Sequence, residues 1–142
     1  MACMTMIPSW VISLISTAAG VIIGTFLTYL KDILIEKKQR RRALENLLND
    51  LKFNKKLAAE KRKWGYHTLA YTEAQSSKYL IDFKEEFRNE LFDAFIKMFG
   101  LNQGIREEKI FGEKNWKPVE KQLEKLEKQL EYLISEIERR LN

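Results

Sequence analysis

The 142-residue chain has one cysteine, one histidine and two prolines. A single cysteine, Cys3, excludes an internal disulfide and any cysteine-based zinc site. A single histidine, His67, leaves no cluster of soft or imidazole ligands from which a transition-metal centre is built. There is no glycine-rich phosphate loop, no G-x-G-x-x-G and no nucleophile elbow, so no nucleotide-binding motif is present and no cofactor is expected. With Pro8 and Pro118 the only prolines, long stretches rich in Leu, Lys, Glu and Arg run without a breaker, which predicts an all-α protein. Hydrophobic residues at 45% and charged residues at 32% indicate a folded chain.

Charge is also missing, locally, from the stretch that organises the rest. Ile7 to Leu30 contains no Asp, Glu, Lys, Arg or His over 24 residues. As a helix it is about 36 Å long, against a hydrocarbon core of about 30 Å. Nothing basic precedes it and no small-residue cleavage pattern follows it, so a retained anchor is expected in place of a signal peptide. On its far side, Lys31 to Arg42 holds six Lys/Arg against two acids, while residues 1–6 carry no charged side chain. Excess Lys and Arg marks the cytoplasmic side, which predicts a single-pass inner-membrane protein with its N-terminus outside and its C-terminal bulk in the cytosol.

The anchor has one unequal face. Ser9, Ser13, Ser16, Thr17, Gly20, Gly24 and Thr28 recur at spacings of three and four and therefore share a stripe. Small residues permit close backbone approach in lipid, where no hydrophobic force draws helices together, so the stripe predicts a packing face. A tight helix pair and a ring whose small polar stripe lines a pore both fit it.

Beyond the anchor, residues 31–42 read as a basic juxtamembrane stalk and residues 43–142 as one cytosolic helical domain. Residues 31–63 carry a net charge of +7. Lys37, Lys38, Arg40, Arg41, Arg42, Lys61, Arg62 and Lys63 are candidate contacts for anionic lipid headgroups or for RNA, with lipid favoured because the anchor already brings them to a membrane. The first helix should continue to about Lys63, with Gly65 as its break. A short second helix should begin near Tyr66 and end around Gln75–Lys78. Asp82 and Glu85 form a D-x-x-E capping pattern for a third, with Phe83, Phe87, Leu91, Phe95 and Met98 or Phe99 on one face and Gly100 as its stop. Leu101 to Asn115 is predicted to be a loop with a turn of helix at most. The last helix, with Pro118 in its first turn, places Trp116, Val119, Leu123, Leu126, Leu130, Leu133 and Ile137 at the alternating spacing of a coiled coil. That face fits a self-paired coil and packing on the chain's own helices equally.

Arg62-Lys-Trp-Gly-Tyr-His67 is an R-x4-H pattern in an all-α setting, and it resembles the signature of HEPN-type ribonucleases. The resemblance implies a metal-independent RNase in which Arg62 and His67 meet across a dimer, the histidine as general acid/base and the arginine stabilising charge on the phosphate. The wider layout is an N-terminal span, a basic linker, L-x-x-[DE]-L-x-x-N at Leu47, Asp50, Leu51 and Asn54, an aromatic-rich helix and a Leu-then-acidic helix. It resembles uncharacterised bacterial single-span membrane proteins, and it is similar to HEPN-like CRISPR-associated accessory proteins that form oligomeric pores in antiviral defence. The expected function is therefore non-enzymatic self-assembly into a pore or scaffold. An RNase, and an accessory subunit of a larger membrane complex, are the alternatives.

Overall fold

The computed structural model describes residues 8–62, 65–111 and 117–142, and over these it is all-helical. Four helices are present among the described residues: α1 (Ser9–Ala59), α2 (Leu69–Ser76), α3 (Glu85–Phe111) and α4 (Lys117–Leu141). The predicted contributions of Lys63, Trp64, Gly112 and Trp116 lie outside the described residues. The chain divides into two compact units, with the division between Gln39 and Arg40.

In the first unit, every residue from 12 to 39 is exposed. The exposed side chains include Trp10, Ile15, Ile22, Phe26 and Tyr29. α1 is the one described helix long and apolar enough to cross a membrane. No polar group interrupts the apolar stretch with an unmet donor at its threonines: Thr17, Thr25 and Thr28 each donate to the carbonyl four residues earlier, at 2.8–2.9 Å.

The second unit closes around one hydrophobic core, to which each helix contributes a stripe at helical spacing. α1 supplies Leu44, Leu47, Leu51 and Ala58, and α2 supplies Ala70, Tyr71 and Ala74. α3 supplies Phe87, Leu91, Ala94 and Met98, and α4 supplies Leu123, Leu126, Leu130, Leu133 and Ile137. Fully burying one such Leu or Phe is worth about 1.5–3 kcal/mol. Of the predicted α4 positions, Leu123, Leu126, Leu130, Leu133 and Ile137 thus pack inside the chain's own core, with Val119 at its edge. Exposed ion pairs border the core, Lys52 with Glu138 at 2.6 Å and Lys55 with Glu131 at 2.9 Å, and pairs of this kind add little to stability.

Three boundaries differ from expectation. α1 ends at Ala59, ahead of Gly65, because Lys61 takes the left-handed conformation (φ 53°). The Arg62 N–H then reaches the Leu57 carbonyl and the Lys61 N–H that of Ala58, the Schellman closure usually given to glycine. α2 ends in the same way on Lys78 (φ 59°), with the Tyr79 N–H on the Ala74 carbonyl. Tyr66 accordingly lies before α2, in the segment that joins it to α1.

Second, the Asp82–Glu85 cap does not form: α3 begins at Glu85, and the Asp82 carboxylate is taken by Arg40. Third, α3 runs through Gly100 to Phe111 where a stop and a loop were expected. A helical glycine costs about 1 kcal/mol relative to alanine. Packing on both sides of Gly100 outweighs that, through Met98 in the core, Leu101 at its edge and the Asn102 side chain bonded to the Tyr66 backbone. On the same helix Phe95 is only partly buried, its ring 4.3 Å from that of Tyr71, and Phe99 is exposed.

Candidate functional site

The L-x-x-D-L-x-x-N pattern on α1 explains the placement of His67. Leu47 and Leu51 face the core, which leaves Asp50 and Asn54, one turn apart, toward the segment that joins α1 to α2. Asn54 is fully buried, and its carboxamide grips one residue twice: Nδ2 donates to the His67 carbonyl and Oδ1 accepts from the His67 N–H, both at 2.7 Å. Asn102 on α3 does the same for Tyr66, donating to its carbonyl at 2.9 Å and accepting from its N–H at 3.2 Å. Two side chains therefore stand in for the neighbouring strands that an extended backbone would otherwise need.

The Tyr66 ring is buried, and its hydroxyl donates to the Arg62 carbonyl at 2.7 Å. Burial pushes its phenol up to about 12. Asp50 completes the arrangement. Thr68 makes no side-chain cap for α2, and Asp50 Oδ2 accepts the Ala70 N–H at 3.3 Å in its place. Its other oxygen lies 3.3 Å from His67 Nδ1. The His67 ring stacks on Phe53 with centroids 4.3 Å apart and is about half exposed, bordering a shallow depression with Asn46, Thr68 and Glu73.

A carboxylate beside an imidazole can hold it in one tautomer for proton transfer. The structure does not bring Arg62 to it within one chain: the Arg62 guanidinium bonds Glu60 at 3.1 Å, and His67 is engaged by Asp50 and Phe53. The RNase chemistry that the resemblance implies draws the two residues from different protomers. Among the described residues, no group of three His, Cys, Asp or Glu side chains is arranged to hold a metal ion.

The basic residues fall into two sets. Lys37, Lys38 and Arg42 are exposed, whereas Arg40 pairs with Asp82 and Arg41 with Glu45, the latter at 3.0 Å. Lys61 holds the α1 terminus through its backbone, Arg62 is paired as above, and Lys63 lies outside the described residues. In the anchor stripe, Ser9, Ser13, Ser16, Thr17, Gly20, Gly24 and Thr28 are all exposed. A Cβ added at Gly20 or Gly24 would meet nothing within 4 Å. The hydroxyl protons of Thr17 and Thr28 are already used within α1, leaving those oxygens only as acceptors.

Sequence reading singled out Asp50 and Asn54 only as parts of a pattern, and it missed Asn102. The available signal was an asparagine at a core-facing position of a helix, where its poor helix propensity calls for another reason. No protein-family model, curated protein or solved structure matches this chain.

Asn54→Ala should lower stability by about 2–4 kcal/mol, because two bonds are lost and a buried N–H and C=O are left unmet. His67→Ala, which keeps its backbone in the clamp, should cost no more than about 1 kcal/mol. Thermal unfolding of the detergent-solubilised chain, followed by circular dichroism, distinguishes the two. Tyr66 sets an alkaline limit as well. The unfolded phenol loses its proton near its ordinary 10.0, the folded one only near 12, so its contribution is intact below pH 10 and declines as pH rises toward 12. Tyr66→Phe should show a shallower decline over that interval in the same measurement.

Proposed function

We propose that this is a single-pass inner-membrane protein, N-terminus outside and C-terminal domain cytosolic, that acts by self-assembly and not by catalysis. The observation that carries this reading is the exposure, along one continuous helix, of an apolar run followed at once by a basic block. Apolar side chains such as Ile15, Ile22, Phe26 and Leu27, each about 60–70% exposed, have their natural place in lipid. Residues 43–142 then form the cytosolic module, read as a small helical bundle whose C-terminal helix is coiled-coil-like in its spacing. The core shared by the four helices supports that reading.

Self-assembly draws on two further features. Gly20 and Gly24 open a flat strip on an exposed helix, and small residues in that pattern favour close helix pairing in a bilayer. The likeness in layout to membrane-anchored HEPN-like proteins makes a pore one form of that assembly and a scaffold the other. Anionic lipid headgroups are the expected neighbours of the exposed Lys37, Lys38 and Arg42.

Orientation can be tested on the native chain through its one cysteine. A membrane-impermeant maleimide should label Cys3 in intact cells; labelling only after lysis would reverse the proposed topology. For assembly, light scattering of the full-length protein in detergent should give a discrete oligomer, and Gly20→Ile with Gly24→Ile should lower its mass. A monomeric wild type that co-purifies with stoichiometric partners would make it a subunit of a larger complex.

A further inference from the structure

α3 has a buried face and an exposed apolar one. The buried face is Phe87, Leu91, Ala94 and Met98. Another face carries Asn89, Phe92, Ile96, Phe99 and Gln103, all exposed, with Phe92, Ile96 and Phe99 at 50%, 49% and 47%. Isolated exposed apolar residues are ordinary, but three large ones in a single seam mark an interaction surface. Their alternating spacing of three and four is the one by which two helices bury apolar side chains against each other. Gly100 lies beside this seam, and a Cβ there would meet nothing within 4 Å. α3 thus keeps in its interior a residue that weakens the helix but lets another backbone come close.

The flanking charges select the partner. In a parallel helix pair with Asn89, Ile96 and Gln103 at one core position and Phe92 and Phe99 at the other, the residue preceding Asn89 faces the residue following Phe92 of the second helix. These are Arg88 and Asp93, of opposite sign. An antiparallel pair overlapping the same seam would instead set Asp93 against Asp93 of the other copy, acid against acid. Arg88 has no carboxylate partner among the described residues, while Asp93 is held in place by Lys97 at 2.5 Å and by Gln129 at 3.0 Å. With Glu85, Glu86 and Asp93 against Arg88 and Lys97, the border is mixed in sign. It is unsuited to an anionic lipid surface or a nucleic acid, and it matches a partner carrying the same mixture.

We propose that α3 is an interface for a second copy of this chain, closed by Phe92, Ile96 and Phe99 and set in parallel register by Arg88 of one copy against Asp93 of the other. The proposal rests on the self-assembly reading above and names where the domain contributes to it.

The test is light scattering of the full-length protein in detergent over a concentration series, with circular dichroism confirming the helical fold. Phe92→Asp with Ile96→Asp should lower the wild-type mass. Arg88→Asp and Asp93→Arg should each raise the dissociation concentration at least about tenfold, and the double reversal should recover most of it. Because these charges lie on the surface, the reversal series remains informative if the apolar variant fails to fold. An unchanged mass in Phe92→Asp with Ile96→Asp would overturn this interface while leaving assembly through the anchor standing. A double reversal as weak as the single ones would overturn the parallel register. A wild type that is monomeric at every concentration would remove self-assembly and this interface together.

Discussion

The second unit depends on a solved hydrogen-bonding problem. An all-helical chain that must turn back from α1 passes through a few residues of extended backbone, here Tyr66 and His67, whose N–H and C=O groups have no strand to pair with. Asn54 and Asn102 supply the missing partners from two different helices. Because each carboxamide offers a donor and an acceptor in fixed geometry, the segment is held at one register and Tyr66 can be buried. Asp50 carries the same constraint into α2 by bonding its first turn. α1, α3 and the start of α2 are thereby joined through polar contacts that a purely apolar core would leave free to slide.

Where periodicity carries the information, the chain was readable in advance. Leu123, Leu126, Leu130, Leu133 and Ile137 were evident from spacing alone, and all five are in the core. The long apolar helix was equally plain, because length and absence of charge need no tertiary context. The helix ends were not. Glycine signals a stop only when the backbone turns left-handed there, and at the ends of α1 and α2 that conformation falls on Lys61 and Lys78. Gly100 was taken for a terminus although Met98, Leu101 and Asn102 keep the chain helical around it.

The candidate site was legible in a different, partial way. The R-x4-H pattern directed attention to the right segment, and L-x-x-D-L-x-x-N to the right turn of α1, but neither states that one grips the other. That relation joins residues 13 to 36 positions apart through a segment with no period of its own. Asp82 illustrates the limit from the other side. A locally correct capping motif stays unformed because α3 begins only at Glu85 and the Asp82 carboxylate meets a guanidinium 42 residues away.

The threonines of the anchor have one more consequence. By turning their hydroxyl protons inward, onto Ser13, Val21 and Gly24 carbonyls, they leave an exposed helix with those donors already satisfied, so that apolar surroundings would cost it little at these three groups. A neighbour of this helix, whatever its chemistry, would therefore meet three hydroxyl oxygens that can only accept.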